Sequence, residues 1–373
     1  MNLLTPPASD EFEFSLFGPG RGECIVLHLG ANDWAVVDSC AGPGRRESVA
    51  LEYFRRIGVT PDRIRLVLAT HWHDDHTKGL ANLHRAAVNA RIGMSAAFKI
   101  NDLGNLIACA DPVHRRSGVD EFAAITTILS ERRETHAPGD LGEFIWAYPG
   151  RVLLELADGA RPFPASIRSL NPSDASFRSA WEEISAALPR EGEATRVIRH
   201  RSPNRASIVV SVTAGATRLL LGADLEHSAE LNDGWFAIIA QHDGLGARAL
   251  KVPHHGSPNA DTPEMWSTML LPNVVATIAP YSSGVTPRPS ETDLQRLSSR
   301  TAHVYCTAKP SGGNPPRRDA LIQKQLKRIA KSHRVVSGEC GHIRVRWLPL
   351  LGAASPSIDL LAGAYRVTTS SAA

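Results

Sequence analysis

The sequence has no apolar run long enough to cross a bilayer. Its longest, SIVVSV at 207–212 and VVATIA at 274–279, fall far short of the roughly 18–20 residues a spanning helix needs. The first residues, MNLLTPPASDEFEF, show neither the basic start nor the apolar stretch of a secretory leader. Cysteine is scarce: five in 373 residues, an odd number, widely spaced and with no C-x-x-C pair. That argues against a disulfide framework and for reduced thiols in a cytoplasmic protein. Charge of one sign is also scarce, with 41 Lys and Arg against 38 Asp and Glu, a net charge of +3. Such a balance admits an anionic substrate but does not argue for broad, sequence-independent coating of nucleic acid. Aromatics make up 6 % and do not interleave with the basic stretches, so no stacking platform for single strands is evident.

What is present reads as an α/β chain. Apolar residues are 43 % and charged residues 21 %, enough for a sizeable core. ECIVLHLG (23–30) and WAVVDSC (34–40) are short apolar runs split by a turn, which predicts a hairpin. RESVALEYFRRIGV (46–59) carries apolar residues at helical spacing and stops at Gly58. RIRLVLAT (63–70) predicts a buried strand, and helices are predicted around 81–90, 119–133 and 175–188. RVLLELADGARPF and ASIRSLNP predict a strand pair. ASIVVSVTAG, TRLLLGAD, ARALKVPHHGS, NVVATIAPY, AHVYCT and HIRVRWLPL continue the strand series. KPSGGNPPR (309–317) is a loop signal, a basic helix is predicted at 318–331, and residues 352–373 read as a small, polar, disordered tail. No internal repeat is apparent.

The chemistry concentrates in ATHWHDDHTKGL (69–80). His71, His73, Asp75 and His76 stand in an H-x-H-x-D-H spacing just past a predicted strand, where loops on rigid scaffolds carry function. Residues two apart on extended chain point the same way, so His71 and His73 can converge on one ion. A turn at Asp74–Asp75 can bring Asp75 and His76 to a second. Imidazole and carboxylate suit Zn²⁺, Mn²⁺ or Fe. Asp38, Asp224 and the pair His254–His255 each close another apolar strand, and Asp224 could bridge two ions.

These residues resemble the signature motifs of the metallo-β-lactamase fold hydrolases, in the family's order. One branch is most similar: NRAS with Asn204 and Ser207, then LLLGAD, then LKVPHHGS, then APYSSGVTPRPSE look like the hydrolase domain of ComEC-type DNA-uptake proteins. The resemblance covers roughly residues 11–310. It implies an αββα four-layer sandwich over 1–351, with a variable insertion at about 84–150. It also implies two divalent ions, Zn or Mn. His71 and His73 would ligate the first; Asp75, His76 and one of His254 or His255 the second; Asp224 would bridge. His255 is favoured because it follows V-P-x, leaving His254 as a donor behind the ligands or a proton source. Asp38 would orient a ligand histidine by hydrogen bond. Asn204, Ser207 and Lys251 would lie behind the ligands or on substrate. His200 is one candidate for a third histidine on the first ion, a space that Asn204 takes in the branch. Arg288 stands where the branch carries a histidine; it either binds phosphate in bidentate fashion or is an ordinary surface residue.

Two ions lower the pKa of a shared water and stabilise charge on the oxygen under attack, with Asp75 orienting the attacking group. The branch implies a phosphodiesterase or nuclease with nucleic acid as partner, and RVIRHR (196–201) and the run at 317–334 could hold a phosphate backbone. Two other readings compete. One is a small-molecule hydrolase acting on a lactone, thioester or phosphorylated metabolite, with Trp146 and Tyr148 lining an apolar pocket under a lid from 84–150. The other is a metal-binding regulatory subunit without catalysis, against which the intact ligand set argues. GPGRGE (18–23) tempts a phosphate-loop reading but lacks G-K-[ST], so a turn is expected. Cys40 reads as a small buried residue and Ser257 as a turn hydroxyl.

Overall fold

Strand β2 (Cys24–His28) turns back into β3 (Trp34–Val37) through Gly30, Ala31 and Asn32, all at positive φ, and the two pair antiparallel as the hairpin predicted. The computed structural model describes residues 5–19, 22–42, 47–95, 117–135, 144–187, 203–282, 287–309, 321, 325, 340–351 and 355–368. After β3, helix α1 (Val49–Ile57) starts on the Ser48 hydroxyl, which accepts from the Ala50 N–H, and ends at Gly58 in the left-handed region. Its buried face (Val49, Ala50, Tyr53, Phe54, Ile57) lies on Trp34 and Ile64. Strand β4 (Ile64–Leu68) then pairs parallel to β3, because the helix has carried the chain across.

Among the described residues each sheet has eight strands, antiparallel in one part and parallel in the other. The first adds β1 (Phe12–Gly18), β5 (Arg91–Ser95), β6 (Phe144–Ala147), β14 (Gly341–Trp347) and β15 (Ser357–Leu361), in the order β15-β14-β1-β2-β3-β4-β5-β6. The second runs β16-β13-β12-β11-β10-β9-β8-β7. Its members are β7 (Val152–Leu156), β8 (Ala165–Ser169), β9 (Val210–Ala214), β10 (Thr217–Leu221), β11 (Ala247–Lys251), β12 (Leu270–Ile278), β13 (Val304–Cys306) and β16 (Tyr365–Arg366). Strands β3 to β6 and β10 to β13 are parallel.

Three apolar layers separate four layers of structure. Phe14, Leu27, Leu68, Phe163, Val212 and Leu219 pack between the sheets. Outside the first sheet, α1, α3 (Leu80–Ala86) and α4 (Ser117–Thr135) cover Val26, Trp34 and Ile92, while α2 (Asp74–Thr77) follows β4. Outside the second, α6 (Gly234–Ala240), α7 (Pro263–Met269) and α8 (Glu291–Ser298) bury Trp235, Met265 and Leu297; α5 is Asp174–Ala187. This is the αββα sandwich expected of the sequence. Fully burying one Leu or Phe gains about 1.5–3 kcal/mol, so the three layers hold the sheets at a fixed spacing for whatever sits at their ends.

Three expectations change. The segment 84–150 is not wholly an insertion, since β5 and β6 within it complete the first sheet. Residues 352–373 are not simply a disordered tail, because β15 pairs with β14 and β16 with β13. Short edge strands such as SIDLL carry too little apolar alternation to show in sequence. Trp146 meets Phe144 edge-on against the helix-covered layer, and the exposed Tyr148 lies near Phe177 and under Arg151, so among the described residues both pack away from the histidine cluster. The basic run at 318–331 lies outside the described residues apart from positions 321 and 325. Among the described residues, no helix is long and apolar enough to cross a membrane.

Candidate metal centre

Ligand-type residues arrive at the carboxyl ends of the parallel strands, where open α/β sheets place their sites. Asp38 follows β3, His71 to His76 follow β4, Asp224 follows β10 and His255 follows β11. Four non-glycine residues at or beside these ends hold positive φ: Asp38 (60°), Ala223 (46°), His254 (43°) and His255 (54°). Such backbone is costly and persists where packing imposes it, commonly around functional sites. The approach is close as well. A Cβ on Gly22 would stand 2.5 Å from the Asp75 carbonyl oxygen, so only glycine lets the start of β2 pass beneath the cluster.

Among the described residues three donor groups form; Glu23, Asp38 and His76 make one, on the Nδ1 side of His76, and the other two share one residue. Of these two, His71, His73 and Asp224 make the first; Asp75, His76, Asp224 and His255 make the second, each with its ligand atoms within 4.8 Å of one another. Asp224 Oδ2 lies 3.8 Å from His71 Nε2, 3.3 Å from His76 Nε2 and 3.4 Å from His255 Nε2. Asp75 Oδ2 lies 3.3 Å from His255 Nε2 and 3.7 Å from His76 Nε2. His71 Nε2 and His73 Nδ1 meet at 3.1 Å.

The rings are aimed from behind. His76 Nδ1–H donates to Asp38 Oδ2 at 2.7 Å, and His255 Nδ1–H donates to the Ala279 carbonyl at 2.9 Å. Asp38 also accepts the Thr70 N–H and hydroxyl, both at 2.7 Å, which leaves the Thr70 oxygen to accept from His71 Nδ1–H at 3.0 Å. Each of these three imidazoles thereby turns Nε2 inward. The Thr70 carbonyl accepts the Ile208 N–H, tying the two sheets together at this point.

The residues fit a divalent cation. His76 Nε2 and His255 Nε2 are buried without a hydrogen-bond partner, although buried polar atoms are seldom left so. Electrostatics agree. Burial works against a charged His76 or His255, yet Asp224 and Asp75 outweigh it, raising His76 well above the ordinary range and His255 to about 10. Burial likewise opposes ionisation of Asp224 and Asp75, but the facing imidazoles hold both carboxyls below their usual range. His71 goes the other way: burial and then the neighbouring His76 and His73 keep it neutral, the form in which imidazole binds metal.

The remaining predicted residues divide. His254 sits at the rim, 26 % exposed, with Nε2 accepting from Asn204 Nδ2 at 3.3 Å and Nδ1 bonded to Ser257 Oγ at 3.0 Å. It is not in either donor group, so the structure sets His255 inward and His254 outward. Asn204 also donates to Glu226 Oε1 at 2.7 Å. Ser207 is fully buried and its hydroxyl has no hydrogen-bond partner among the described residues. Lys251 is fully buried, with Nζ 2.6 Å from Glu23 Oε1, and therefore does not meet substrate. Arg288 is pinned to Asp293 at 2.8 Å as part of the α8 cap, and its backbone pairs with Tyr281, whose ring stacks on His255. His200 lies outside the described residues. Sequence reasoning missed Glu23, Glu226 and Tyr281. A carboxylate heading the otherwise apolar ECIVLHLG was the available signal for Glu23; GPGRGE drew attention only as a turn. A cavity of about 530 Å³, lined among others by Arg168, Ser211, Thr213 and Arg218, contains none of these residues.

Residues 17–100 match the family model described as the metallo-beta-lactamase superfamily. With the two helix-flanked mixed sheets, the fold is the metallo-β-lactamase-type sandwich. No curated protein matches the chain. Among solved structures, the metallo-beta-lactamase fold protein YhfI from Bacillus subtilis is 12 % identical, over 81 % of this chain and 98 % of that one, with a TM-score of 0.39. MEM-A1, a subclass B3 metallo-beta-lactamase from a soil metagenome library, is 13 % identical over 68 % and 82 %, with a TM-score of 0.32. A B3 metallo-beta-lactamase with an active-site glutamic acid is 19 % identical over 64 % and 73 %, with a TM-score of 0.31. Likenesses this weak bear on neither activity nor ligand.

Proposed function

We propose that the chain is a metal-dependent hydrolase working with two divalent ions, Zn or Mn, and that its substrate is a phosphodiester, nucleic acid being the foremost case. The observation that carries the first part is Asp224 Oδ2, a single oxygen facing imidazoles of both donor groups. Held by these residues, two such ions would acidify a water and offset negative charge on the oxygen under attack. The chain's own residues do the rest. His71, His76 and His255 would bind through Nε2 atoms already turned inward, with His73 beside His71 completing the first group. Asp224 is almost wholly buried, whereas the Asp75 side chain is 17 % exposed, so Asp75 is the ligand an incoming water meets and orients. His254 and Asn204 form the open wall against which substrate lies. Because Nε2 of His254 accepts from Asn204, that nitrogen holds no proton; it can give one to a leaving group only after Asn204 lets go and Nε2 has itself taken a proton, the attacking water being the source.

The phosphodiester part is supported by the N-x-x-S, G-D and K-x-x-H-H-G-S pattern of the sequence. One observation favours the second reading, a lactone or thioester hydrolase: the cations near the site are already engaged. Lys251 is buried on Glu23, Arg288 holds Asp293, and Glu226 adds a carboxylate to the rim. The deciding experiment assays single- and double-stranded DNA and RNA, a simple aryl phosphodiester and a lactone, with added Mn²⁺ or Zn²⁺, using the wild type and Asp75→Ala/His76→Ala. Metal-dependent cleavage of any phosphodiester, lost in the variant, upholds the proposal. Lactone turnover with every phosphodiester intact replaces the substrate class, and a protein that takes up no metal overturns the whole reading.

A further inference from the structure

Each imidazole that faces Asp224 is held from behind: His76 by Asp38, His255 by the Ala279 carbonyl, His71 by the Thr70 hydroxyl. The shared carboxylate needs the same service, and the hydrogen bonds named so far do not supply it. Asp224 Oδ2 faces the three imidazoles, while Oδ1 is buried, without a hydrogen bond, and 3.6 Å from Lys251 Nζ. Lys251 is fully buried at the end of β11, donates to the Ala223 carbonyl at 2.7 Å and pairs with Glu23 Oε1 at 2.6 Å. Glu23 is also fully buried, with its carboxylate 3.7 Å from His76 Nδ1 and 3.8 Å from His255 Nδ1. A buried ion pair is a poor way to gain stability, since its desolvation offsets most of the attraction and apolar residues of like volume do as well or better. Its position directly behind the shared ligand calls for another explanation.

We propose that Lys251, itself held by Glu23 and the Ala223 carbonyl, is the positioning residue of Asp224: its ammonium keeps Oδ1 turned away from the cations, so that Oδ2 alone is offered to both. Neither residue touches substrate. The pair also sets local charge. Asp38, Asp75, Asp224 and Glu23 crowd four carboxylates around the donor groups, and Lys251 places one fixed positive charge among them. The start of β2 thereby becomes part of the centre, which explains why Gly22 must pass so close beneath Asp75.

This inference rests on the two-ion reading above, and its test separates the two. Metal-free wild type, Glu23→Gln/Lys251→Met and Glu23→Gln are each titrated with Co²⁺, following the visible ligand-field bands and the affinity, and thermal unfolding without metal checks that each variant folds. The double variant removes the buried charges together. It should still take up cobalt, with altered bands and an affinity about 10–100-fold weaker, the usual cost of losing a ligand's outer partner. Glu23→Gln is isosteric and leaves Lys251 between Asp224 and the Ala223 carbonyl, so it should move the bands in the same direction and by less; it decides the matter if the double variant fails to fold. A control pair remote from the site, Arg344→Met/Asp359→Asn on β14 and β15, should leave the cobalt spectrum unchanged. Folded variants with wild-type bands and affinities within twofold would overturn the positioning role while leaving the two-ion reading intact. A wild type that binds no cobalt would overturn both.

Discussion

Buried histidines occur in two regions of this molecule, and apart from His71, which burial and its neighbouring imidazoles keep neutral, the two treat the same side chain in opposite ways. At the strand ends, His76 and His255 are held positive, His255 up to about 10. In the body of the fold, His28 is held down to about 4, His84 to about 3, and His342 well below its ordinary value. Burial pushes all five toward neutrality, so burial does not make the difference. Their partners do. His84 lies against Arg132, and His342 against Arg344, Arg56 and Arg346; His28 loses to burial and Arg346 despite the nearby Asp33. His76 and His255 face Asp224 and Asp75 instead. One region uses imidazole as a neutral packing group, and the other gathers carboxylates that demand a cation, for which a proton or a metal will serve.

The contrast breaks most completely if its shared carboxylate is removed. Asp224→Asn should weaken metal binding at both donor groups by more than the roughly 100-fold that losing an outer partner costs, as read by competition with a chelating dye. Next in size, Asp38→Asn leaves every ligand in place but disturbs the bond that turns His76 inward, and should cost about 10–100-fold in the same titration. If Asp38→Asn bound metal as the wild type does, the aiming role of that bond would be wrong.

The pH dependence of stability should split by region, measured on metal-free protein by denaturant titration. For His28 and His84 the folded value lies below the unfolded one, so the unfolded chain binds more protons between them. Stability is therefore lost as pH falls from about 6.5 toward 4, by about 1–3 kcal/mol for each. For His255 the sign reverses: its contribution is complete below pH 6.5 and disappears as pH rises through about 10. Added Zn²⁺ should remove the alkaline loss and leave the acid one. The smallest effect tests the other side of the comparison. His84→Leu should flatten the acid arm while metal uptake stays within twofold of wild type; a drop in metal content would mean that the two regions are coupled.

Much of the site is legible in sequence because its residues sit close along the chain or close a strand. His71, His73, Asp75 and His76 share six positions, and Asp224 and His255 each follow an apolar run that can only be a buried strand. Between His254 and His255 the sequence favours the second through V-P-x, and burial places the His255 ring inward among the ligand-type residues and the His254 ring at the rim. Glu23 could not be placed, because it reaches the cluster only through pairing of β2 with β3 and the approach of β11, contacts that no local pattern encodes. For Lys251 the sequence leaves two places, behind the ligands or on substrate, and its complete burial against Glu23 decides for the first. In the fold, the long apolar strands announced themselves, whereas the edges β15 and β16 and the strands β5 and β6, which have 48 residues of sequence between them, did not.

The central claim is that Asp224 is shared by two cations. Anomalous diffraction from crystals of the wild-type protein grown with Zn²⁺ tests it most directly. The account predicts two peaks flanking Asp224 Oδ2, one among His71, His73 and Asp224 and the other among Asp75, His76, Asp224 and His255. A single peak, or two of which neither touches Asp224, would contradict it.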